Sequence, residues 1–138
     1  MGPTMFFDVS PRQVCTVRTS LTNTPLHALT LLNDITYVEA ARQLAGRILR
    51  DGDREPAKRL GRAFRMATSR PPKPQEIEVL LAMLKRANEH FRTHPGAAEK
   101  VLKTGESPND GALDPTELAA YTSVMNMLLN LDEVLTKE

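Results

Sequence analysis

The chain has 138 residues, which is enough for one domain around one hydrophobic core. Apolar residues make up 41% and charged residues 25%, an ordinary globular mixture that excludes a chain disordered throughout. The formal net charge of +1 argues against a protein committed as a whole to nucleic acid or to an anionic membrane. Aromatic residues are scarce and Trp is absent, so we expect an aliphatic core.

Residues 1–23 show no sustained hydrophobic period and contain two prolines, which predicts an extended segment. The beginning of the chain lacks a basic stretch followed by an apolar one, so it is not a signal peptide. We interpret this segment as continuous with an upstream region of a longer protein. The single cysteine, Cys15, excludes an internal disulfide. Five apolar residues of the segment could pack on the domain or on a part of the parent protein: Phe6, Phe7, Val9, Val14 and Val17.

Residues 24–138 are predicted to form a helical domain, and its first two helices have clear start signals. Thr24 and the following proline are typical of an N-cap and first helical position, which predicts a helix over Pro25–Leu32. Thr36 and Glu39 have the capping-box spacing and predict a second helix that runs to about Arg50. Its expected buried stripe consists of Val38, Ala41, Leu44, Ala45, Ile48 and Leu49.

Three further helical patterns follow over about 55–68, 74–92 and 96–103. Residues 104–113 contain two Gly and one Pro and predict a mobile loop. The tetrapeptide Asp114–Glu117 combines an N-cap, a first-turn proline and a capping-box carboxylate, and it opens the last helix. Strand-like alternation is absent, so the fold class is all-α: a single compact bundle of about five amphipathic helices with an extended N-terminal segment.

Charge is distributed unevenly along the chain. Residues 42–73 hold ten Lys or Arg against three acidic residues, whereas residues 99–138 hold eight acidic residues against three Lys. Such halves either face each other, lie as solvated helix faces, or present a basic docking surface. Lys58, Arg62 and Arg65 share one helix face and could follow a phosphate backbone, so nucleic-acid binding is one alternative function. The near-neutral total charge and the few aromatic residues argue against it.

Asn and Asp residues beside leucine runs are the clearest local signal of a specialised surface. Buried amides and carboxylates must be hydrogen-bonded, so these residues either cap helix ends and hold the termini together or form a polar cluster facing another domain. The set consists of Asn33, Asp34, Asn126, Asn130, Asp132 and Glu133. The candidate interaction surface therefore comprises Asn33, Asp34, Lys58, Arg62, Arg65, Asn130, Asp132 and Glu133.

Chemistry-bearing motifs are few. His90 and His94 lie four residues apart, as metal ligands on a helix do, but closing a zinc site needs a further ligand. Cys15 and His27 are a nucleophile and a base without any recognisable surrounding motif. The chain has no CxxCH, GxSxG, phosphate-binding loop or GxGxxG. We therefore assign no catalytic, cofactor-binding or metal-ligating residue, and we do not expect this chain alone to be an enzyme.

Three segments resemble a known family. They are CTVRTSLTNTPLHALTLLNDITYVEAARQLAGRIL, RLGRAFRMATSRPPKPQEIEVLLAMLKR and AYTSVMNMLLNLDEVLTKE. They resemble, in this order, the C-terminal domain of unknown function of the exported planctomycete-type cytochrome-c-associated multidomain proteins. The resemblance spans roughly residues 6–138. One departure is Ile35, which stands where the family often has proline after the Asn-Asp pair.

The resemblance implies a larger exported protein, in a periplasm-like compartment or at the cell surface, with haem c on an upstream region. The chain would then be a non-catalytic structural or interaction module at the C-terminal end of that protein, and its partners would be the upstream domains. The family offers no catalytic residues to transfer. The alternative is an accessory part of a cell-surface polysaccharide-active or redox enzyme, in which Asp34, Asp132 and Glu133 would supply the carboxyl groups. Substrate and oligomeric state stay open.

Overall fold

A computed structural model describes residues 32–51, 53–109 and 111–135. These residues form six helices and no strand, so the expected all-α class is confirmed. The helices are α1 (Ile35–Arg50), α2 (Pro56–Thr68), α3 (Pro74–Thr93), α4 (Pro95–Leu102), α5 (Pro115–Leu129) and α6 (Asp132–Leu135). The expected extended segment 1–23 and nearly all of the helix predicted over Pro25–Leu32 lie outside the described residues; Leu32 and Asn33 are helical.

Helix α5 is the centre of the bundle, and α1, α3 and α4 pack around it. Its apolar residues are not confined to one stripe, as expected of a helix buried on most of its circumference. The core is aliphatic, as the composition predicts, with Tyr121, Phe64 and Phe91 as its buried aromatic side chains among the described residues. The fully or nearly fully buried residues of α5 are Leu118, Ala119, Ala120, Tyr121, Thr122, Val124, Met125 and Leu128.

Side chains near the helix starts cap α1 and α5, and the cap predicted for α1 needs a correction. The predicted capping box of Thr36 and Glu39 is wrong: Asp34 is the N-cap, and its carboxylate accepts a hydrogen bond from the Thr36 N–H at 2.8 Å. The reason is that an aspartate two residues earlier already satisfies a free N–H of the first turn. At α5 the predicted cap is confirmed, because Asp114 accepts from the Glu117 N–H at 2.8 Å.

Two ion pairs connect the basic part of the chain to the acidic part. Arg59 of α2 binds the Glu117 carboxylate at 2.8 Å, and its guanidinium lies 5.8 Å from the centre of the Tyr121 ring. Arg70 binds the Glu133 carboxylate at 2.9 Å. The charge asymmetry therefore corresponds, at these two places, to halves of the chain that face each other. Burial raises the pKa of Tyr121, which lies in the core beneath Arg59.

Among the described residues, no helix combines the length and the apolar character that a membrane crossing requires.

Candidate functional site: an apolar groove beside an arginine–glutamate cluster

An open apolar groove of about 380 Å³ lies between α3 and the junction of α5 with α6. Two of its side chains are unusually exposed for their type: Val79 at 59% and Met127 at 45%. Its surface is almost entirely apolar, and the polar residues of its lining are Gln75, Glu76 and Glu133. It is lined by Phe64, Gln75, Glu76, Val79, Leu80, Met83, Met127, Leu128, Leu131 and Glu133.

Helical spacing and one helix end explain why these residues meet. On α3, Glu76, Val79 and Met83 follow one another at spacings of three and four, which places them along one face. Helix α5 ends at Leu129, and the Leu131 N–H donates to the Leu128 carbonyl at 3.2 Å. This tight turn keeps the chain against the bundle and brings Leu131 to the wall of the groove formed by α5.

The rim is fixed by Arg70, which binds two carboxylates at once. Its guanidinium donates to Glu76 at 2.6 and 2.9 Å and to Glu133 at 2.9 and 3.0 Å. It also lies 4.7 Å from the centre of the Phe64 ring, a cation–π arrangement. Arg70 thus joins the chain after α2 to α3 and α6, the elements on both sides of the groove. We call Arg70, Glu76 and Glu133 the rim cluster.

Electrostatics in the rim cluster favour the charged forms of Arg70 and Glu76. The hydrogen bonds from Arg70, together with one from the Lys73 N–H at 2.6 Å, lower the pKa of Glu76 to about 2. The two carboxylates in turn raise the pKa of Arg70. Ser69, immediately before Arg70, has a left-handed φ of 63° and ends α2, which turns the backbone toward α3. Arg70 and Glu76 are therefore charged across the physiological pH range.

A second polar network holds the loop after α4 against α1. Arg42 is only 2% exposed, and it donates to the Ser107 carbonyl at 2.8 Å and to the Asn109 side-chain oxygen. Glu39 accepts from the Ser107 N–H at 2.7 Å and from the Ser107 hydroxyl, which lowers the pKa of Glu39. Asn109 donates to the Leu102 carbonyl at 2.8 Å. Residues 104–109 of the loop predicted to be mobile are thus tied down by three side chains.

The basic stripe predicted on α2 is partly neutralised. Lys58 lies 3.0 Å from the Glu55 carboxylate, and this pairing raises the pKa of Lys58. Arg62 binds the Asp51 carboxylate at 2.8 Å. Arg65 is exposed in the last turn of α2. Two of the three cations therefore have acidic neighbours, which weakens the field that a phosphate backbone would feel.

The Asn and Asp residues mostly serve helix ends. Asn126 donates to the Leu32 carbonyl at 3.1 Å, and Asn130 ends α5 and donates to the Asn126 carbonyl at 2.9 Å. Asp34 caps α1. Asn33 and Asp132 are exposed next to these helix ends, whereas Glu133 belongs to the rim cluster. The chain before α1 is thereby tied to α5, as the capping interpretation expects.

The two histidines that were considered as metal ligands, His90 and His94, lie together at the junction of α3 and α4. The rings of His90 and His94 stack with their centres 4.7 Å apart, and His94 Nδ1 lies 3.1 Å from the His90 carbonyl oxygen. Within the described ranges, no three His, Cys, Asp or Glu side chains are grouped as a metal ion would need. The contact between the two rings lies where α3 ends and α4 begins, with His94 as the residue between the two helices. Cys15 and His27 lie outside the described residues.

Sequence reasoning missed most of the groove and both polar networks. The side chains of α3 that pack in or against the core include Ile77, Leu80, Leu81, Leu84 and Phe91. Val79 stands outside this apolar stripe, so a valine off the stripe was an available signal. Arg42 lies between the predicted core positions Ala41 and Ala45, where a cation requires buried partners. The partners of Arg70 and Arg42 are up to 67 residues away in sequence, and no local pattern identifies them.

The described residues thus form an all-helical domain with an apolar groove on its surface. The family model described as PSD1, protein of unknown function (DUF1553), matches residues 2–84, and the chain belongs to this family. No curated protein and no solved structure matches the chain. The matched range includes the side of the groove formed by Phe64 and α3, whereas the side formed by α5 and α6 lies beyond it.

Proposed function

We propose that the domain is a non-catalytic structural and interaction module of a larger protein, and that the groove is the surface that holds the upstream region. The observation that carries this proposal is the exposed apolar lining, with Val79 and Met127 at its mouth. Contiguous exposed apolar surface edged by polar groups is characteristic of protein–protein contact sites. Charged groups at the edge and apolar groups at the centre also match the usual anatomy of an interface.

The rim cluster supports this function because it makes the groove rigid before a partner arrives. Arg70 joins the elements on both sides, so little side-chain entropy is left to lose at the edge on binding. Val79 and Met127 are 59% and 45% exposed, so burying what remains of either side chain in a partner contributes roughly 1 kcal/mol, about half the value for a fully exposed side chain. Two such anchors in a pre-organised groove are enough for a specific contact inside one chain, where the partner is always near.

The carboxylates proposed for the enzymatic alternative have structural partners. Asp34 caps α1, and Glu133 binds Arg70, so neither presents an unoccupied carboxylate in a cleft. The resemblance to the exported cytochrome-c-associated proteins supplies the wider setting of the proposal: an exported parent protein with haem c on an upstream region. In that setting this domain would stabilise the parent at its C-terminal end.

The test is an association measurement between the helical domain, residues 24–138, and a separately produced upstream region that includes residues 1–23. Met127→Glu places a charge in the groove, and Met66→Glu is the matched control, since Met66 is 39% exposed and does not line the groove. We expect Met127→Glu to weaken association at least tenfold and Met66→Glu to leave it unchanged, with both variants fully helical by circular dichroism. Equal affinities for the two variants would rule out the groove as the contact surface.

A further inference from the structure

The groove and the composition of the chain identify an occupant. We propose that the groove is filled by the aromatic pair Phe6–Phe7 of the N-terminal segment, which thereby fixes the upstream region against the helical domain. This inference rests on the proposed function, because it names the element that the interaction surface holds.

The chemistry of the groove suits an aromatic side chain. Met83 and Met127 contribute two thioethers, and Val79, Leu80 and Leu131 contribute aliphatic surface. Methionine sulfur makes favourable contacts with aromatic rings, and methionine side chains adapt to the shape of what they cover. Aromatic side chains are also the most common anchors of protein interfaces, because they bury a large rigid surface at little entropic cost.

The chain has few aromatic residues to offer. It contains four Phe, of which Phe64 and Phe91 are buried among the described helices. The other two, Phe6 and Phe7, are adjacent near the start of the chain. Neighbouring side chains of an extended segment point in opposite directions, so a pair presents one aromatic ring to the groove in either register.

The first described residue of the chain, Leu32, contacts a helix that lines the groove. Asn126 of α5 donates to the Leu32 carbonyl at 3.1 Å, and the following residue, Met127, lines the groove. Leu32, the first residue that the structure describes, is therefore hydrogen-bonded to the helix that forms one wall of the groove.

Chain length does not limit the contact. If Pro25–Leu32 is helical, as its sequence predicts, it rises about 1.5 Å per residue, and residues 8–24 can still span up to about 55 Å. A domain of this size has a radius of gyration of about 14 Å, so the aromatic pair reaches any point of the surface. A tether of this kind gives an effective concentration on the millimolar scale, so even a weak contact is populated.

Methionine methyl NMR on the full chain tests the proposal, with Phe6→Leu/Phe7→Leu as the variant. Aromatic rings shift nearby methyl resonances, so this variant should move the resonances of Met83 and Met127. Met125 in the core and Met66 on the surface serve as internal controls and should stay in place. Phe64 is present in both proteins, so its own effect cancels. Unchanged Met83 and Met127 resonances would overturn the proposal, and so would shifts that vanish on dilution, which would assign the groove to a second copy.

Disulfide trapping gives an independent readout. In a Cys15→Ser background, Phe7→Cys with Val79→Cys should oxidise to an intramolecular disulfide. Phe7→Cys with Ile35→Cys, at a 62% exposed residue that does not line the groove, should oxidise at least tenfold more slowly. Equal rates for the two pairs would count against the proposal.

These results separate this proposal from the proposed function. A Met127→Glu effect on upstream association without any effect of the phenylalanine variant would remove the occupant and leave the interaction surface. Methyl shifts without an effect of Met127→Glu on association would keep the phenylalanine pair as the occupant and remove the groove as the surface that holds the upstream region.

Discussion

Gly105 offers a sharp test of how the loop after α4 is held. Its φ is +92°, a backbone conformation that residues with a side chain rarely adopt. A Cβ at this position would lie 2.5 Å from Glu39 Oε2, 2.6 Å from its Cδ and 2.9 Å from its Cβ. The same Glu39 side chain accepts the Ser107 N–H at 2.7 Å. Gly105→Ala therefore strains the backbone and displaces the carboxylate that anchors the loop.

The backbone conformation alone sets a lower limit on the cost. Holding a non-glycine residue in such a sparsely populated region costs about 1–3 kcal/mol. Displacement of Glu39 adds to this, because distances under 3.0 Å from a Cβ to these atoms require a shift of the side chain or of the helix behind it. We expect Gly105→Ala to lower the free energy of unfolding by at least about 1–3 kcal/mol, a substantial part of a typical total of about 5–15 kcal/mol.

Urea denaturation followed by circular dichroism at 222 nm is the assay, and the chain provides two matched controls. At Gly111 and Gly96 an added Cβ would meet no atom within 4 Å, and neither residue has a positive φ. Their alanine variants therefore cause no backbone strain and no close contact. Gly111→Ala should be nearly neutral, and Gly96→Ala, inside α4, should stabilise by up to about 1 kcal/mol. In a Glu39→Ala background the cost of Gly105→Ala should shrink without vanishing, since the positive φ remains. A Gly105→Ala cost no larger than that of Gly111→Ala would refute this reasoning.

Three further predictions concern the core, the rim cluster and the buried arginine. Leu128→Ala, at a 1% exposed position, should lower the free energy of unfolding in urea by about 2–5 kcal/mol. Lys58→Ala on the exposed face should leave the free energy of unfolding nearly unchanged. Equal losses for the two variants would mean that the buried side of the bundle is assigned wrongly. The pKa of Glu76 is about 2 in the folded chain against 4.5 ordinarily, so its stabilising effect is complete above pH 4.5 and is lost as pH falls toward 2. Denaturation between pH 7 and pH 2 should therefore show a shallower decline for Glu76→Gln than for the native chain, and parallel curves would contradict the role of Arg70. Arg42→Met should lower the free energy of unfolding by at least about 1.5–3 kcal/mol, since it removes charged hydrogen bonds to residues 107 and 109. The same variant should speed amide exchange in residues 104–109 but not in α5. If exchange in residues 104–109 rose no more than exchange in α5, Arg42 would not be what holds the loop.

Local signals in the sequence determined the fold class and most helix starts. The 3.6-residue period, the Asp114 cap and the prolines at the first helical positions of α2 to α5 act within a few residues of the chain, so they can be read without the fold. The start of α1 was misassigned because Asp34 and Thr36 are both good caps, and local propensity does not decide between them. The alternation of proline-started helices was sufficient to predict an all-α bundle.

Tertiary structure decided the candidate site. Val79 and Met127 are 48 positions apart, and each looks like an ordinary apolar helix residue until the packing of α3 against α5 leaves both uncovered. Arg70 likewise meets Glu133 only because α6 folds back beside α2. Helical periodicity tells which side chains share a face, since that depends on backbone geometry alone. Whether the face is covered, and which distant charge pairs with which, depends on how the helices pack, and these are tertiary properties.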